Sequence, residues 1–288
     1  LDFGALWRLR SFVILYSITH VHAHSTSFFM ALLLKLCCPS LKLIWHYHYG
    51  NDKGISNKRL LIFKMIIPFF NGVIAVNQNL KVWIEDKLKY KEVIYLPNFT
   101  SSNKAENKTI LEGVQDKRIL SLANLRPDKN HFLLLEVACM LKISHPDWTF
   151  HLVGKDFEDQ YSLAIKDKIK AYQLENQVFL YGSREDINCI GILTSVSEGL
   201  PIAFLEYEMQ PLPVVVTAVG ELPNIINSGV NGWLVPSNDA GSFYKALIAL
   251  IADNSMRNRM ALALQQTVLE GYSSKRVLQK YLQWLESL

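Results

Sequence analysis

The chain has 288 residues, of which 50% are hydrophobic and 19% are charged. This composition excludes an intrinsically disordered or collagen-like protein, because it supplies enough apolar surface for one or two buried cores. The net charge of +4 is too small to indicate a nucleic-acid-binding protein by itself, and we expect no nucleic-acid partner.

The charge is distributed unevenly between the two halves of the chain. Residues 1–110 contain 14 basic and 6 acidic side chains, whereas residues 111–288 contain 16 basic and 20 acidic ones. This asymmetry is typical either of a solvated basic surface or of a half that faces an anionic partner such as a membrane. No apolar run is long enough to span a bilayer, so we expect peripheral membrane contact at most.

The cysteine pattern predicts neither a disulfide framework nor a zinc site. The four cysteines form no C-x-x-C pair; they are Cys37, Cys38, Cys139 and Cys189. A reducing compartment is the expectation for such a pattern. The chain begins at Leu1 without a methionine and without the basic region and cleavage site of a signal peptide, and we interpret this start as a cut rather than a natural terminus. From the cysteine pattern we expect a cytoplasmic protein, one that can lie at the inner face of the cell membrane.

Short apolar runs alternate along the chain with amphipathic segments of helical length. The runs in the first half predict strands over His20–His24, Leu41–His46, Gly72–Val76 and Glu92–Leu96. Those in the second half predict strands over Ile119–Ala123, Thr149–Val153, Val178–Tyr181, Cys189–Ser195, Val214–Thr217 and Gly232–Val235. Such alternation predicts an α/β fold with parallel sheets covered by helices on both faces.

Two connections bear on the domain organisation. The polar stretch Pro97–Gln115 has no apolar period and is typical of a linker, so we predict one domain plus linker over residues 1–110 and a second over 111–288. The connection Gly182–Asn188 is too short for the helix that a parallel crossover contains. It is therefore either a stretched loop or the remnant of a longer segment.

A turn that follows a predicted buried strand carries the strongest signal for a binding site. Gly199 permits a tight turn, and Pro201 suits the first turn of a helix. The backbone N–H groups at such a helix start can bind phosphate or sugar oxygens; here they belong to Gly199, Leu200 and Ile202. The carboxylates of Glu198 and Glu206 can accept hydrogen bonds from sugar and ribose hydroxyls, although an exposed glutamate that suits the helix dipole is the alternative for each.

A second loop carries two cations at the end of a predicted strand. Arg126 and Lys129 follow the strand Ile119–Ala123 and precede a helix. Doubly wound folds bind ligands at the carboxyl ends of their strands, and Arg pairs well with a diphosphate. A solvated surface loop is the alternative interpretation.

Together these motifs resemble a family 4 glycosyltransferase of the GT-B fold. The resemblance rests on Glu198 and Glu206 within Ser-Glu-Gly-Leu-Pro and the residues after it, on Arg126-Pro127-x-Lys129, on Phe150–Gly154, and on Glu221-Leu222-Pro223 with Gly232–Val235. It implies two Rossmann-like domains that face a cleft, with a nucleotide-sugar donor in the C-terminal domain and an acceptor in the N-terminal one. It further implies transfer with retention and without a bound metal.

The resemblance assigns roles to the donor-side residues. Lys129 matches the lysine that contacts the donor diphosphate, and Glu206 matches the glutamate that holds the ribose. Glu198 matches the glutamate near the transferred sugar, where we expect a catalytic role. Main-chain contacts to sugar and phosphate are implied for Gly199, Leu200 and Pro201, and a close approach to the nucleotide for Gly154. Many members carry an arginine where this chain has Asn124, and we expect Arg126 to substitute for it.

The histidines of the first half suggest a second group of functional residues. The family often places a histidine before a glycine at the end of a strand, so the resemblance makes His48 the catalytic candidate, followed by His46. Strand alternation directs His20, His22 and His24 to one face. Because neither carboxylate nor cysteine accompanies them, we expect satisfied histidines rather than a metal site.

The implied activity is transfer of a sugar from a UDP- or GDP-linked donor to a glycan or lipid-linked acceptor in surface polysaccharide or glycolipid synthesis. The donor is a substrate, and we expect no cofactor. Leu32–Cys38 and Asn57–Phe70 are either core helices or segments that rest on an anionic membrane. The N-terminal domain of the family begins with strands that precede anything found here, so it is expected to be truncated. A non-catalytic nucleotide-sugar binder, a degenerate fragment and a sugar-nucleotide epimerase remain alternatives.

Overall fold

A computed structural model describes residues 2–48, 55–99, 111–182, 190–202, 204–205 and 211–288. The chain divides into two compact units. The first unit comprises Leu1–Asn98 together with Val277–Leu288, and the second comprises Phe99–Arg276. Each unit contains one parallel β-sheet, so the predicted α/β fold with two Rossmann-like domains is confirmed.

The two sheets use the strands that the apolar runs predicted. The first sheet has the order β1-β2-β3-β4, with β1 His20–His24, β2 Lys42–Tyr47, β3 Gly72–Ala75 and β4 Val93–Tyr95. The second has the order β10-β9-β8-β5-β6-β7, with β5 Arg118–Leu122, β6 Thr149–Val153, β7 Val178–Tyr181, β8 Ile190–Leu193, β9 Val214–Thr217 and β10 Trp233–Val235. The observed ends differ from the predicted ones by at most two residues.

Helices fill the connections between these strands. The α-helices are α1 Phe3–Leu15, α2 Phe28–Cys37, α3 Asn57–Ile66, α4 Gln78–Trp83, α5 His131–Ser144, α6 Gln160–Ala171, α7 Leu222–Ile225, α8 Ala240–Ala252, α9 Asn254–Tyr272 and α10 Ser274–Ser287. Short 3-10 segments cover Ser25–Ser27, Ile67–Phe69 and Pro127–Lys129, and a π-helical turn covers Ile84–Leu88. An aspartate caps each of α6, α8 and α9 by accepting a backbone hydrogen bond of 2.9 Å.

The central strands of the first unit's sheet, β2 and β3, are largely buried on both faces. One face packs against α2 and α3, where Trp45 contacts Phe63 with ring centroids 5.0 Å apart. The opposite face packs against α10, whose Val277 and Trp284 lie in a cluster with Ile44. This packing is close, because a Cβ on Gly72 would lie 2.5 Å from the Trp284 ring.

The structure differs from the sequence-based domain assignment at the C-terminus. We predicted that the second domain extends to residue 288, but Val277–Leu288 belongs to the first unit. The physical reason is the apolar face of α10, which covers the first sheet as described above. The connection between β7 and β8 was predicted to lack a helix, and its residues 183–189 lie outside the described part of the chain.

None of the helices in the described part of the chain is long and apolar enough to cross a bilayer.

Candidate functional site

The two loops that carried the strongest sequence signals meet in the second unit. The ammonium group of Lys129, in the loop after β5, lies 2.5 Å from Oε1 of Glu198, in the turn after β8. The Ser195 hydroxyl donates to the same carboxylate oxygen at 2.7 Å. The Lys129 and Glu198 side chains are only 20% and 9% exposed, so the ion pair is shielded from water and stronger than an exposed one.

Hydrogen bonds to the main chain fix the segments that carry this pair. The Thr194 hydroxyl donates to the carbonyl of Lys129 at 2.8 Å, and the Val196 N–H donates to the carbonyl of Asp128 at 2.9 Å. The Thr217 hydroxyl, at the end of β9, donates to the carbonyl of Ser195 at 2.6 Å. The ends of β5, β8 and β9 are therefore tied together before any ligand binds.

The turn from Gly199 to Pro201 lies where the sequence predicted it. Leu200 and Pro201 are buried, and helical backbone begins at Ile202. The Gly199 carbonyl accepts a hydrogen bond of 2.9 Å from the Glu221 N–H. Gly220 makes this contact possible, because its φ is +59° and a Cβ there would lie 2.3 Å from the Gly199 oxygen.

Arg126 lies in the predicted loop, and among the described residues its guanidinium lies against an aromatic ring rather than in an ion pair like that of Lys129. Its Cζ lies 4.9 Å from the ring centroid of Phe157, and the Lys155 ammonium lies 5.1 Å from the same ring. The Asn124 side chain accepts a hydrogen bond of 2.8 Å from the Lys155 N–H. The Arg126 guanidinium thus lies against an aromatic ring of the next loop.

Gly154 lies at the end of β6 and its role is steric. A Cβ on Gly154 would lie 2.3 Å from the Ala123 carbonyl oxygen, so only glycine allows the ends of β5 and β6 to approach this closely. Gly154 also lines a cavity of about 260 Å³ at the carboxyl ends of β5, β6 and β7. The other residues that line it are Leu125, Leu152, Asp156, Lys166, Leu180, Tyr181 and Gly182.

The first unit brings four histidines together. His22 and His24 on β1 lie beside His46 on β2 and His48 just after it, with neighbouring ring centroids 4.0–5.1 Å apart. Burial, followed by the neighbouring imidazoles, lowers the pKa of His46 to about 3 and that of His22 to about 4. The pKa of His48 is also lowered, by burial and then by His24. The rings of His22, His46 and His48 are therefore neutral near pH 7.

Sequence reasoning missed several residues that hold the Lys129–Glu198 pair in place. Ser195 follows the buried strand β8 by two residues, and Thr217 ends the buried strand β9. A polar residue directly after an apolar run was the sequence signal available for both. Gly220 precedes the Glu-Leu-Pro segment, but sequence alone does not reveal that it contacts Gly199. Glu206, predicted to hold a ribose, lies outside the described residues.

This arrangement suits a ligand that is both anionic and rich in hydroxyl groups. An incoming phosphate can take the Lys129 ammonium from its intramolecular partner. The released Glu198 carboxylate can then accept hydrogen bonds from hydroxyl groups. Both side chains lie at the carboxyl edge of the second sheet, where doubly wound folds bind nucleotides.

Comparisons with known proteins agree with this interpretation. Two curated relatives are a poly(ribitol-phosphate) α-N-acetylglucosaminyltransferase of Staphylococcus aureus, 24% identical over 84% of this chain, and a UDP-Gal:α-D-GlcNAc-diphosphoundecaprenol α-1,3-galactosyltransferase of Escherichia coli, 25% identical over 78%. The aligned regions cover 49% and 55% of those proteins, so the chain spans about half the length of each.

Solved structures and a family profile complete the comparison. The crystal structure of Anabaena HepE with UDP and glucose superposes with a TM-score of 0.84 at 20% identity, covering 100% of this chain and 84% of that one. This likeness shows the same two-domain GT-B fold. The profile described as "Glycosyl transferases group 1" matches residues 102–266, which is more than half of the chain. The chain therefore belongs to the group 1 glycosyl transferases.

Proposed function

We propose that this chain transfers a sugar from a nucleotide-sugar donor to a glycan or lipid-linked acceptor, with retention of configuration, in surface polysaccharide or glycolipid synthesis. The observation that carries the proposal is the shielded Lys129–Glu198 pair at the carboxyl edge of the second sheet. The S. aureus and E. coli relatives, named for acceptors of these two kinds, support the choice of acceptor class.

The donor binds as a substrate, and the chain needs no cofactor in this proposal. Lys129 exchanges the Glu198 carboxylate for the diphosphate, and Arg126 adds a second cation nearby. The cavity that Gly154 lines takes the nucleotide base, because it opens at the same sheet edge and its volume suits a group of that size. The proposed nucleotide is UDP or GDP, and UDP is the one bound in Anabaena HepE.

The proposed reaction exchanges two bonds at the anomeric carbon. The bond to the diphosphate oxygen breaks, and a bond to the acceptor oxygen forms on the same face of the sugar. The acceptor proton passes to the leaving diphosphate, so the step needs no protein nucleophile. Lys129 stabilises the charge on the leaving group, which makes this step independent of a metal, and Glu198 positions the sugar. We assign His48 to the acceptor side and Glu206 to the ribose.

A lipid-linked acceptor requires contact with a membrane surface, and the first unit has suitable features. The predicted segments Leu32–Cys38 and Asn57–Phe70 are partly core, since Leu34 and Phe63 are fully buried. The helices α2 and α3 also expose the apolar side chains of Leu36, Leu61 and Met65. The helix α1 exposes four more, which are Phe3, Trp7, Phe12 and Leu15. Arg8 and Arg10 lie among them on α1. We propose that this surface rests on the anionic inner face of the cell membrane.

Calorimetric titration with UDP, GDP, ADP and CMP tests the donor site. We expect one nucleotide to bind, and Lys129→Ala to weaken it by about 10- to 100-fold, as for a lost hydrogen bond between charged groups. Lys170→Ala, which removes an exposed lysine of α6, is the matched control and should bind normally. The corresponding nucleoside, which lacks the diphosphate, should bind Lys129→Ala and the unmodified chain equally.

Three outcomes would contradict the proposal. Failure of all four nucleotides to bind to folded protein would favour a degenerate fragment. Binding without release of nucleotide in the presence of acceptors would favour a non-catalytic binder. Conversion of the nucleotide-sugar into its epimer, without any acceptor and without net release of nucleotide, would favour the epimerase. Retention is tested by NMR of the product, whose anomeric configuration should equal that of the donor, and a reaction in EDTA should proceed at an unchanged rate.

A further inference from the structure

The histidine cluster of the first unit is not used by the proposed donor chemistry. Parallel pairing of β1 and β2 sets its geometry, with His24 opposite His46 in the register. Alternation along each strand then directs His22, His24 and His46 to the same face of the sheet. Two strands that are separate in sequence thus contribute imidazoles to one place.

The ring nitrogens of this cluster lie within reach of a single ion. His22, His24 and His46 each have one ring nitrogen within 4.8 Å of those of the other two. His48 is next to them, and its Nε2 lies 2.8 Å from Nδ1 of His24, at hydrogen-bond distance. The rings of His22 and His24 are exposed, so an ion has access to the cluster from solvent.

His46 supplies independent evidence for a ligand. Both of its ring nitrogens are buried, and neither has a hydrogen-bond partner among the residues that the structure describes. Buried polar groups are nearly always paired, because an unpaired one costs about 1–3 kcal/mol. The contrast with His151 of the second unit is informative, since Thr149 and Tyr181 pair with both nitrogens of that buried ring.

The chemistry of the donor set selects the class of ligand. Imidazole nitrogen suits zinc, copper, nickel and cobalt, whereas calcium and magnesium prefer carboxylate and carbonyl oxygen. Among the described residues, the group contains three histidines and no carboxylate. A site with three histidines leaves room for water or another ligand at the fourth position of a tetrahedral ion.

We infer that His22, His24 and His46 bind one divalent transition-metal ion, for which zinc is the reference, and that His48 orients His24 through their hydrogen bond. A ligand histidine commonly uses its second nitrogen in this way. The ion ties β1 to β2 within the first unit. The sequence argues against a metal because neither carboxylate nor cysteine accompanies the β1 histidines, but the parallel register adds His46 as a third imidazole.

The test uses the full chain without an affinity tag, stripped with EDTA and dialysed. Zn²⁺ is titrated by calorimetry, and Co²⁺ is followed by its visible d–d absorption, which reports the coordination geometry. We expect one ion per chain and a rise in melting temperature on addition of Zn²⁺. His22→Gln, His24→Gln and His46→Gln should each weaken binding at least about tenfold, in line with the loss of one ligand.

Two other histidines supply matched controls. His20 lies two residues before His22, on the same strand and the same face of the sheet. Its Nδ1 lies 2.8 Å from the Thr19 hydroxyl. His145 lies in the second unit. His20→Gln and His145→Gln should bind Zn²⁺ like the unmodified chain. Because His22 and His24 are exposed, their variants should also keep the fold, as circular dichroism would verify.

The inference is overturned if the unmodified chain fails to bind Zn²⁺ and Co²⁺, if the double variant His22→Gln/His24→Gln still binds normally, or if His20→Gln loses as much affinity. Nucleotide binding measured on the same preparations separates this result from the proposed function. We expect it to be unchanged in His22→Gln and His24→Gln, since the donor-side residues belong to the second unit.

Discussion

The two units assemble their polar clusters in opposite ways. In the second unit, Lys129 and Glu198 pair with each other, and hydrogen bonds fix the main chain around them. In the first unit, histidines stack on one another, and both nitrogens of His46 lack a partner within the described ranges of the chain. The polar cluster of the second unit is therefore organised before ligand binding, through opposite charges. The histidine cluster, by contrast, consists of a single residue type and depends on an outside ligand for completion.

The strongest test of this preorganisation is Gly220→Ala. The substitution combines a left-handed φ of +59° with a Cβ only 2.3 Å from a carbonyl oxygen, so the free energy of unfolding should fall by about 3 kcal/mol. Gly229→Ala is the matched control, because its φ is +84° but nothing lies within 4 Å of its Cβ. It should cost about 1 kcal/mol. Urea denaturation measures both variants. If Gly220→Ala and Gly229→Ala lower the free energy of unfolding equally, the close packing of Gly220 against Gly199 does not contribute to stability.

The next largest expected change in unfolding free energy comes from replacing a buried histidine by phenylalanine, once in each unit. His151→Phe removes both hydrogen bonds of a fully buried ring and leaves the Thr149 hydroxyl unpaired, which should cost about 2–3 kcal/mol. His46→Phe removes two nitrogens that have no partner in the part of the chain that the structure describes, so in EDTA it should be neutral or slightly stabilising. Urea denaturation measures both. A large loss in His46→Phe would mean that this ring has a partner in solution.

The sequence predicted the fold well because its signals are local. Apolar runs of strand length identified all ten strands that the described residues form, and the turn chemistry of Gly199 and Pro201 located the helix that begins at Ile202. Lys129 and Glu198 were identified through a resemblance, and the structure brings them together. The close approach of Gly154 to a nucleotide stays a prediction, and the structure adds its close packing against the Ala123 backbone.

The remaining features depend on contacts between distant segments. The apolar face of α10 is visible in the sequence, but which sheet it covers is decided by the fit of Trp284 over Gly72. The register that places His24 opposite His46 is equally non-local. Arg126 was expected to serve the diphosphate, and its position over Phe157 depends on the loop after β6. Composition and spacing do not encode such relations.

The pH dependence of the free energy of unfolding tests the buried His151 of the second unit. Burial lowers the pKa of His151 from 6.5 to about 4. Between these values the unfolded chain binds a proton that the folded chain does not, so stability falls as the pH drops from about 6.5 to 4 and this effect is complete below 4. This group should lower the free energy of unfolding by about 2 kcal/mol between pH 7 and pH 5. In His151→Phe this part of the change in unfolding free energy with pH should disappear. If the change between pH 7 and pH 5 stays the same, groups other than His151 cause it.

The smallest expected effect tests whether Glu198 competes with the ligand for Lys129. Glu198→Gln removes the negative charge but keeps an oxygen that can accept from Ser195, so the turn should stay in place. With the Glu198 charge removed and the Asp128 carboxylate still 3.5 Å from its ammonium, Lys129 should bind the diphosphate more tightly, by up to about tenfold or 1.4 kcal/mol. Sugar transfer should fall, because the neutral amide is a weaker hydrogen-bond acceptor for sugar hydroxyl groups. Glu175→Gln, at an exposed position of the same unit, should bind nucleotide normally. If Glu198→Gln instead binds nucleotide more weakly, as expected for Lys129→Ala, then the carboxylate positions the lysine, and the pair works as one unit rather than as two competitors.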